Sequence, residues 1–270
     1  MRAWFEHEAY EMLKICSRSY QVIPSTQILA RDYAVKLQSK SIQSDRWLRI
    51  TAEGQTRGIG QYARTWTSPV NFDNIYATYL IPVPKQRITT ALLVPQTIAL
   101  AIVLGLEAYG FNLQVKWIND LFFEDKKLGG ILCEYQKCIN DTKYDLLILG
   151  IGLNVNLRPN SIYTNAAMTS LYMISGKTWD KNRILNQIQT YIFYQLKQLI
   201  KNECCGFYTE LNKRLYCKGQ SICFEHHSKI YQGILHGITQ DGKISLQIDG
   251  RLKSFSSGRI ILPIVPKQAL

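Results

Sequence analysis

Two apolar runs, GGILCEYQ (129–136) and YDLLILGIGLNV (144–155), are joined by a polar loop rather than by a helix. An earlier couple, WLRITAE (47–53) and NIYATYLI (74–81), is joined in the same way, and its second member alternates and is rich in β-branched and aromatic residues. Successive strands without a crossover helix cannot build a regular parallel α/β sheet. The pattern therefore predicts an α+β fold, a mixed or antiparallel sheet with helices on one side. LQVKW (113–117) supplies a further strand.

Helices are marked by caps and periodicity. YQVI (20–23) is a short apolar run, after which Pro24-Ser25-Thr26 starts a helix. Ser25 or Thr26 caps it, and Ala30, Tyr33, Ala34 and Leu37 recur at helical spacing. A long apolar helix is expected from about 91 to 109, with Pro95 in its first turn. Asp180 caps another, in which Ile184, Ile188, Tyr191, Ile192 and Leu199 share a face, and CCGFY ends it. From about Lys218 the texture changes. QSICFE, KIYQGILHGI, GKISLQID, RLKSFSS and RIILPI are short and alternating, separated by turns such as Gln240-Asp241-Gly242 and Asp249-Gly250, which predicts a small antiparallel barrel. The division expected is residues 1–217 and 218–270.

A formal charge of +12 attracts anionic partners, but no run of five Lys/Arg marks a nucleic-acid tail. The seven cysteines form no C-x-x-C pair, and His226-His227 point to opposite faces of a strand, so neither a disulfide framework nor a metal site is expected. MRAWFEHEAYEMLK lacks the apolar core of a signal peptide, and Ala91–Leu106 is shorter than a membrane span. A cytoplasmic protein without membrane attachment is expected.

Three stretches carry chemistry. In GQTRGIGQYARTW (54–66), Gly58 to Ala63 fit the dinucleotide pattern G-x-G-x-x-G/A, but Pro69 and the β-branched Thr65 and Thr67 leave no helix for a pyrophosphate to sit on. Arg57, Arg64 and Trp66 nonetheless supply anion donors and an aromatic face. In KWINDLFFEDKKLGGILCE (116–134), Lys116, Asn119 and Asp120 end a strand, and six residues of hairpin lead to Lys127 and Gly129-Gly130. Two lysines and an aspartate could meet there in one pocket, although a charged hairpin tip has the same composition. GIGLNVN (150–156) ends a strand with two glycines that permit close approach, plus the amide of Asn154.

Together these pieces resemble the biotin protein ligases of the group without an N-terminal DNA-binding domain. Ser25-Thr26, the loop from Gln55 through WTSP (66–69), KWINDL, KLGGILCE, GIGLN and MTSL (168–171) follow that family's order over roughly residues 20–266. The resemblance implies a mixed sheet with helices packed on it, of the class II aminoacyl-tRNA synthetase/biotin ligase type, plus a small C-terminal Src-homology-3-like barrel. It implies biotin and ATP as substrates, with Mg²⁺ and no metal site of the protein's own. Biotin is activated as biotinyl-5′-AMP and transferred to a lysine of a biotin carboxyl carrier protein. No DNA or membrane partner is implied, and a homodimer is allowed.

The resemblance also implies roles. Lys127, Asp120 and Arg64 are catalytic candidates, the cations because a carboxylate must approach a polyphosphate and Asp120 because the acceptor amine must lose a proton. Biotin would be held by Ser25, Thr26, Gln27, Gln55, Gly58, Ile59, Gly60, Gln61, Lys127 and Gly130. The nucleotide side falls to Arg64, Trp66, Lys116, Asn119 and Asn154. The chain departs from the family's G-R-G-R-x-G-R loop: Ile59 and Gln61 replace the first two arginines and Ala63 the third glycine. Ile118 replaces proline, and Gln27 the asparagine after Ser-Thr. Weaker retention of the adenylate is the expected consequence. The alternatives are a lipoate ligase or acyltransferase of the same superfamily and a non-catalytic biotin-binding regulator. A nucleic-acid-binding protein is a third, set against the absence of room for a helix-turn-helix before Pro24.

Overall fold

The computed structural model describes residues 14–37, 42–70, 74–85, 92–159, 167–201 and 206–263. The chain runs β1 (Lys14–Ile23), α1 (Thr26–Leu37), β2 (Arg46–Gln55), β3 (Ile75–Pro84), α2 (Leu93–Glu107), β4 (Gln114–Lys116), β5 (Asp120–Phe123), β6 (Lys126–Gln136) and β7 (Tyr144–Leu153). Helices α3 (Leu171–Ser175), α4 (Lys181–Lys201) and α5 (Phe207–Lys213) lead to β8 (Ser221–His226), β9 (Lys229–Ile238), β10 (Ile244–Ile248), β11 (Arg251–Phe255) and β12 (Arg259–Pro263).

The first seven strands form one mixed sheet, ordered β1-β2-β3-β7-β6-β5-β4. Only β1 and β2 pair in parallel; β2 with β3, β3 with β7, and β7 with β6 are antiparallel, as strands joined by loops require. Helices do not lie on one side as expected. Helix α1 covers one face through Ala30 and Ala34 against Ile50, Leu80, Leu146 and Ile148. Helices α2 and α4 cover the other, over Ala77, Tyr79, Leu147, Leu149 and Ile151. Strand β3 is accordingly buried on both faces from Ile75 to Val83. Helix α2 is apolar nearly all round because it lies between the sheet and α4, and a Cβ on its Gly105 would stand 3.3 Å from Ile188 Cα.

Three further expectations are corrected. Strand β1 begins well before YQVI; it is an exposed edge strand of mostly polar residues, with no buried face to pattern its sequence. Asp120 starts β5 rather than ending β4, so 114–136 is a three-stranded meander. CCGFY does not simply end α4: Phe207-Tyr208 open α5, while Cys204 and Cys205 lie outside the described residues, as do residues 1–13 and Ala91.

The C-terminal strands form an antiparallel sheet in the order β11-β10-β9-β8-β12. It curls, so that Phe255 of β11 meets Phe224 of β8 with ring centroids 5.1 Å apart. It is joined to the larger sheet through the Asp241-Gly242 turn. Gly242 O accepts from Gln96 Nε2 (2.8 Å) and Trp117 Nε1 (3.1 Å), and Trp117 packs on Phe224.

Candidate active site

Because β1 and β2 run parallel, Ile23 and Gln55 come side by side at their ends. The turn at Pro24 then places Ser25, Thr26 and Gln27 in the first turn of α1, beside Gln55. Ser25 Oγ accepts the Gln27 N–H (3.2 Å), the expected cap. Gln55 is held at both ends of its amide. Its Oε1 accepts from Thr26 N (2.8 Å) and Thr26 Oγ1 (3.2 Å), and its Nε2 donates to Ser68 Oγ (2.7 Å). Thr78 Oγ1, from β3, lies 2.9 Å from Thr26 Oγ1 and 3.2 Å from Gln27 Oε1.

The glycine loop is a small hairpin. Trp66 N donates to Gly58 O (2.9 Å), Ile59 bridges Thr65, and Gly60 N donates to Arg64 O (2.7 Å). Gln61–Ala63 form its tip, with the exposed Tyr62 left-handed at φ 56°. The amides of Gly60, Arg64 and Trp66 are thus taken up within the hairpin, and β3, not an α-helix, is the next element after it, so the loop lacks the helix N-terminus that a dinucleotide pyrophosphate sits on. Gly58 permits the closure, since a Cβ there would lie 2.2 Å from Trp66 O. The Trp66 ring returns over the sheet and lies flat on Gly152, where a Cβ would stand 2.4 Å from Cε2.

At the opposite end, Lys127 Nζ pairs with Asp120 Oδ1 at 2.7 Å and sits 5.3 Å from the centre of the Trp66 ring. A parallel bridge to Met168 holds the Lys127 backbone: its N donates to Ala167 O and its O accepts from Thr169 N, both at 2.9 Å. Asn154 Nδ2 braces that segment through Thr169 O (3.0 Å). Asn119 ties the meander to β6 by donating to Ile131 O. Arg64 is exposed on the hairpin, and no ion pair among the described residues engages it.

Between the two ends lies a cavity of about 160 Å³. Ser25, Thr26, Gln27, Gln55, Ile59, Gly60, Gln61, Arg64, Trp66, Asn119, Asp120, Lys127 and Gly130 all line it, as the motifs led one to expect. Gly58, Lys116 and Asn154 do not: Gly58 closes the hairpin and Asn154 is a buried brace. Lys116 stands beside the cavity with its ammonium over the Phe122 and Tyr216 rings, where burial pushes its pKa down. Sequence reasoning passed over Thr78 and Leu132 and treated Gly150 and Gly152 only generically, yet these line the floor. Two glycines one residue apart on a strand share a face, and that spacing was the available clue. Asp120 is the cavity's one carboxylate, and no group of three His, Cys, Asp or Glu among the described residues could hold a metal ion.

The model of the Biotin/lipoate A/B protein ligase family matches residues 20–154. The chain is 26% identical over 258 residues to the bifunctional ligase/repressor BirA of Bacillus subtilis, covering 90% of this chain and 73% of that protein. It is 26% identical over 220 residues to the biotin–[acetyl-CoA-carboxylase] ligase of Mycobacterium tuberculosis, covering 78% and 77%. The biotin protein ligase of Aquifex aeolicus, solved in complex with biotin and ATP, superposes with a TM-score of 0.74 at 25% identity, covering 90% of this chain and 97% of that one.

Proposed function

The chain belongs to the Biotin/lipoate A/B protein ligase family, and from that premise we propose that it is an ATP-dependent biotin ligase acting on a biotin carboxyl carrier protein. The supporting observation is the polarity of one cavity. A neutral hydrogen-bonding group, Ser25-Thr26-Gln27-Gln55, and an ionic pair, Lys127-Asp120, line the same cavity with its glycines, and Arg64 lines it from the hairpin. A cyclic urea carries both donors and acceptors for the neutral group. The dithiolane of lipoate carries neither, which disfavours the lipoate alternative.

In the first step a biotin carboxylate oxygen attacks the α-phosphorus of ATP, and diphosphate leaves. Lys127 and Arg64 offset the charge gathered where two anions meet. Mg²⁺ would enter with the nucleotide as its counter-ion; among the described residues no group of three His, Cys, Asp or Glu could hold it. In the second step the ε-amine of the carrier lysine attacks the acyl carbon, the anhydride C–O bond breaks, and AMP leaves. Asp120 takes the ammonium proton. Its carboxylate is paired with Lys127 until the phosphate draws that lysine away, so the base becomes available once the adenylate is present. The reaction belongs in the cytoplasm, where ATP and the unmodified carrier meet. No helix among the described residues is long and apolar enough to cross a membrane.

The test is to mix the protein with ATP, Mg²⁺, a biotin carboxyl carrier domain and either biotin or lipoate, and to weigh the carrier. A mass gain with biotin is expected; a gain with lipoate alone overturns the proposal.

A further inference from the structure

Two amide side chains help tie the C-terminal sheet to the larger domain. Asn212 of α5 makes the first tie. Its Nδ2 donates to Ile238 O (3.1 Å) and its Oδ1 accepts from Ile238 N (2.8 Å), so it holds one residue of β9 by both backbone groups. Gln96 of α2 makes the second. It is fully buried, and its Nε2 donates both to Leu92 O and to Gly242 O, each at 2.8 Å.

The Gly242 carbonyl is fixed in a closed turn. Gly242 N donates to Thr239 O (2.9 Å), Thr239 N to Lys243 O (2.9 Å) and Lys243 N to Thr239 Oγ1 (3.1 Å). Gly242 is left-handed at φ 81°, and a Cβ on it would stand 2.8 Å from Leu93 Cδ2, so only glycine permits this approach to α2. The same carbonyl takes a second donor, Trp117 Nε1, at 3.1 Å, and the Trp117 ring packs on Phe224 of β8. Trp117 is buried. Its side chain is thus anchored in the small sheet while its backbone opens the turn 117–119 between β4 and β5. Asn119 closes the far side of that turn, its amide donating to Ile131 O and its carbonyl accepting from Ile131 N (2.9 Å). The next residue is Asp120, paired with Lys127.

Resting on the ligase reading above, we propose that Gln96 and Trp117 are positioning residues for the transfer step: through the Gly242 carbonyl they let the small sheet fix where Asp120 stands relative to the reacting amine. Neither side chain lines the cavity, so both act through Asp120 rather than on a substrate. The carbonyl is a fixed point in a closed turn. Trp117 carries that point across to the β4–β5 turn, and Gln96 keeps the carbonyl from sliding along α2. A misplacement of about 1 Å at a reacting group costs about a hundredfold in rate, which gives hydrogen bonds remote from the chemistry their leverage on it.

The test compares the two ties. Replacing Trp117 by benzothienylalanine removes the N–H and keeps the bicyclic ring, and Gln96→Met removes the other donor. Each should lower kcat for transfer from preformed biotinyl-AMP to the carrier about tenfold, with KM for the carrier and affinity for biotin within about twofold. Replacing Trp117 by 5-fluorotryptophan, which keeps the N–H, should keep the rate. Asn212→Ala loosens the small sheet at the other tie; it should lower Tm and leave kcat within about twofold, since its bonds lead nowhere near Asp120. If one donor variant does not fold, the other decides by the same measure. An unchanged kcat in a folded donor variant, or an equal loss in Asn212→Ala, would show that these contacts serve stability alone and would overturn the proposal while leaving the ligase reading standing. Failure of the unaltered protein to transfer biotin at all would overturn both.

Discussion

Gln61→Arg should turn the enzyme into a better keeper of its own intermediate. Gln61 lines the cavity at the hairpin tip and is half-buried. Of the nearby cations, Lys127 is paired with Asp120, which leaves Arg64 as the charge available at rest. An arginine at position 61 would place a second cation on the same flap, facing the adenylate phosphate. Two unit charges 4 Å apart attract by about 4 kcal/mol at an effective dielectric of 20. The tip is open to solvent, so screening removes much of that. A hydrogen bond to a charged group contributes about 1.5–3 kcal/mol in more enclosed sites. A net gain of about 1–2 kcal/mol is therefore expected, or roughly 5- to 30-fold slower loss of adenylate. The assay forms labelled biotinyl-AMP on the enzyme, removes free ligand, and follows release against excess unlabelled compound. Bystander proteins in the same mixture should take up less biotin in proportion, since free adenylate acylates any exposed lysine. The gain should shrink as salt rises. An unchanged or faster release rate in Gln61→Arg would refute the reasoning and show that the tip does not face the phosphate.

Lys127→Ala should lower adenylate formation by about two to three decades, as for loss of one preorganised electrostatic donor, measured as diphosphate release. Asp120→Asn should slow transfer from preformed adenylate to the carrier by about 10²–10⁴-fold, as for loss of a general base; an unchanged transfer rate removes Asp120 from that role. Gly152→Ala should displace the Trp66 ring, because the new methyl would stand 2.4 Å from Cε2; biotin affinity should fall by at least tenfold, with Trp66 fluorescence shifted. Asp141 accepts backbone N–H bonds from Ile42, Lys143 and Tyr144, and the Ile42 bond foremost holds its carboxyl below the usual range. A depressed carboxyl stabilises the fold above the unfolded pKa and loses that contribution as pH falls through the folded value. Asp141→Ala should therefore lower Tm at neutral pH, with the difference from the unaltered protein closing in acid.

What could be read from residues alone followed burial. Strands β2, β3, β6 and β7 were legible because their apolar runs feed a core, and α4 because Ile184, Ile188 and Ile192 repeat on one face. The five C-terminal strands were legible because alternation and turn glycines agree. Strand β1 was not, since an exposed edge strand buries too little to pattern its sequence. Strand β5 is a short piece inside a charged meander, its backbone held by β4 and β6 rather than by its own propensity. The burial of β3 on both faces looked like alternation because tyrosines and threonines, polar in composition, are buried there with partners: Thr78 with Thr26, Tyr79 with Gln189.

The same logic explains why the motif residues were found and the floor was not. Ser25, Gln55, Lys127 and Asp120 announce themselves by chemistry at fixed spacing. The floor is made by what is missing. Helix α1 begins at Thr26, so the sheet beyond its N-terminus has no helix above it, and Gly130, Gly150 and Gly152 lower that patch by the depth of a side chain. Trp66 fills part of the space so made, and the hairpin that carries it folds back from the end of β2. A gap in the helical layer, a strip of glycines beneath it and a hairpin above it are each ordinary alone. Their coincidence in one place, with cations at only one end, makes the cavity directional, and direction is what joining a carboxylate to a phosphate requires.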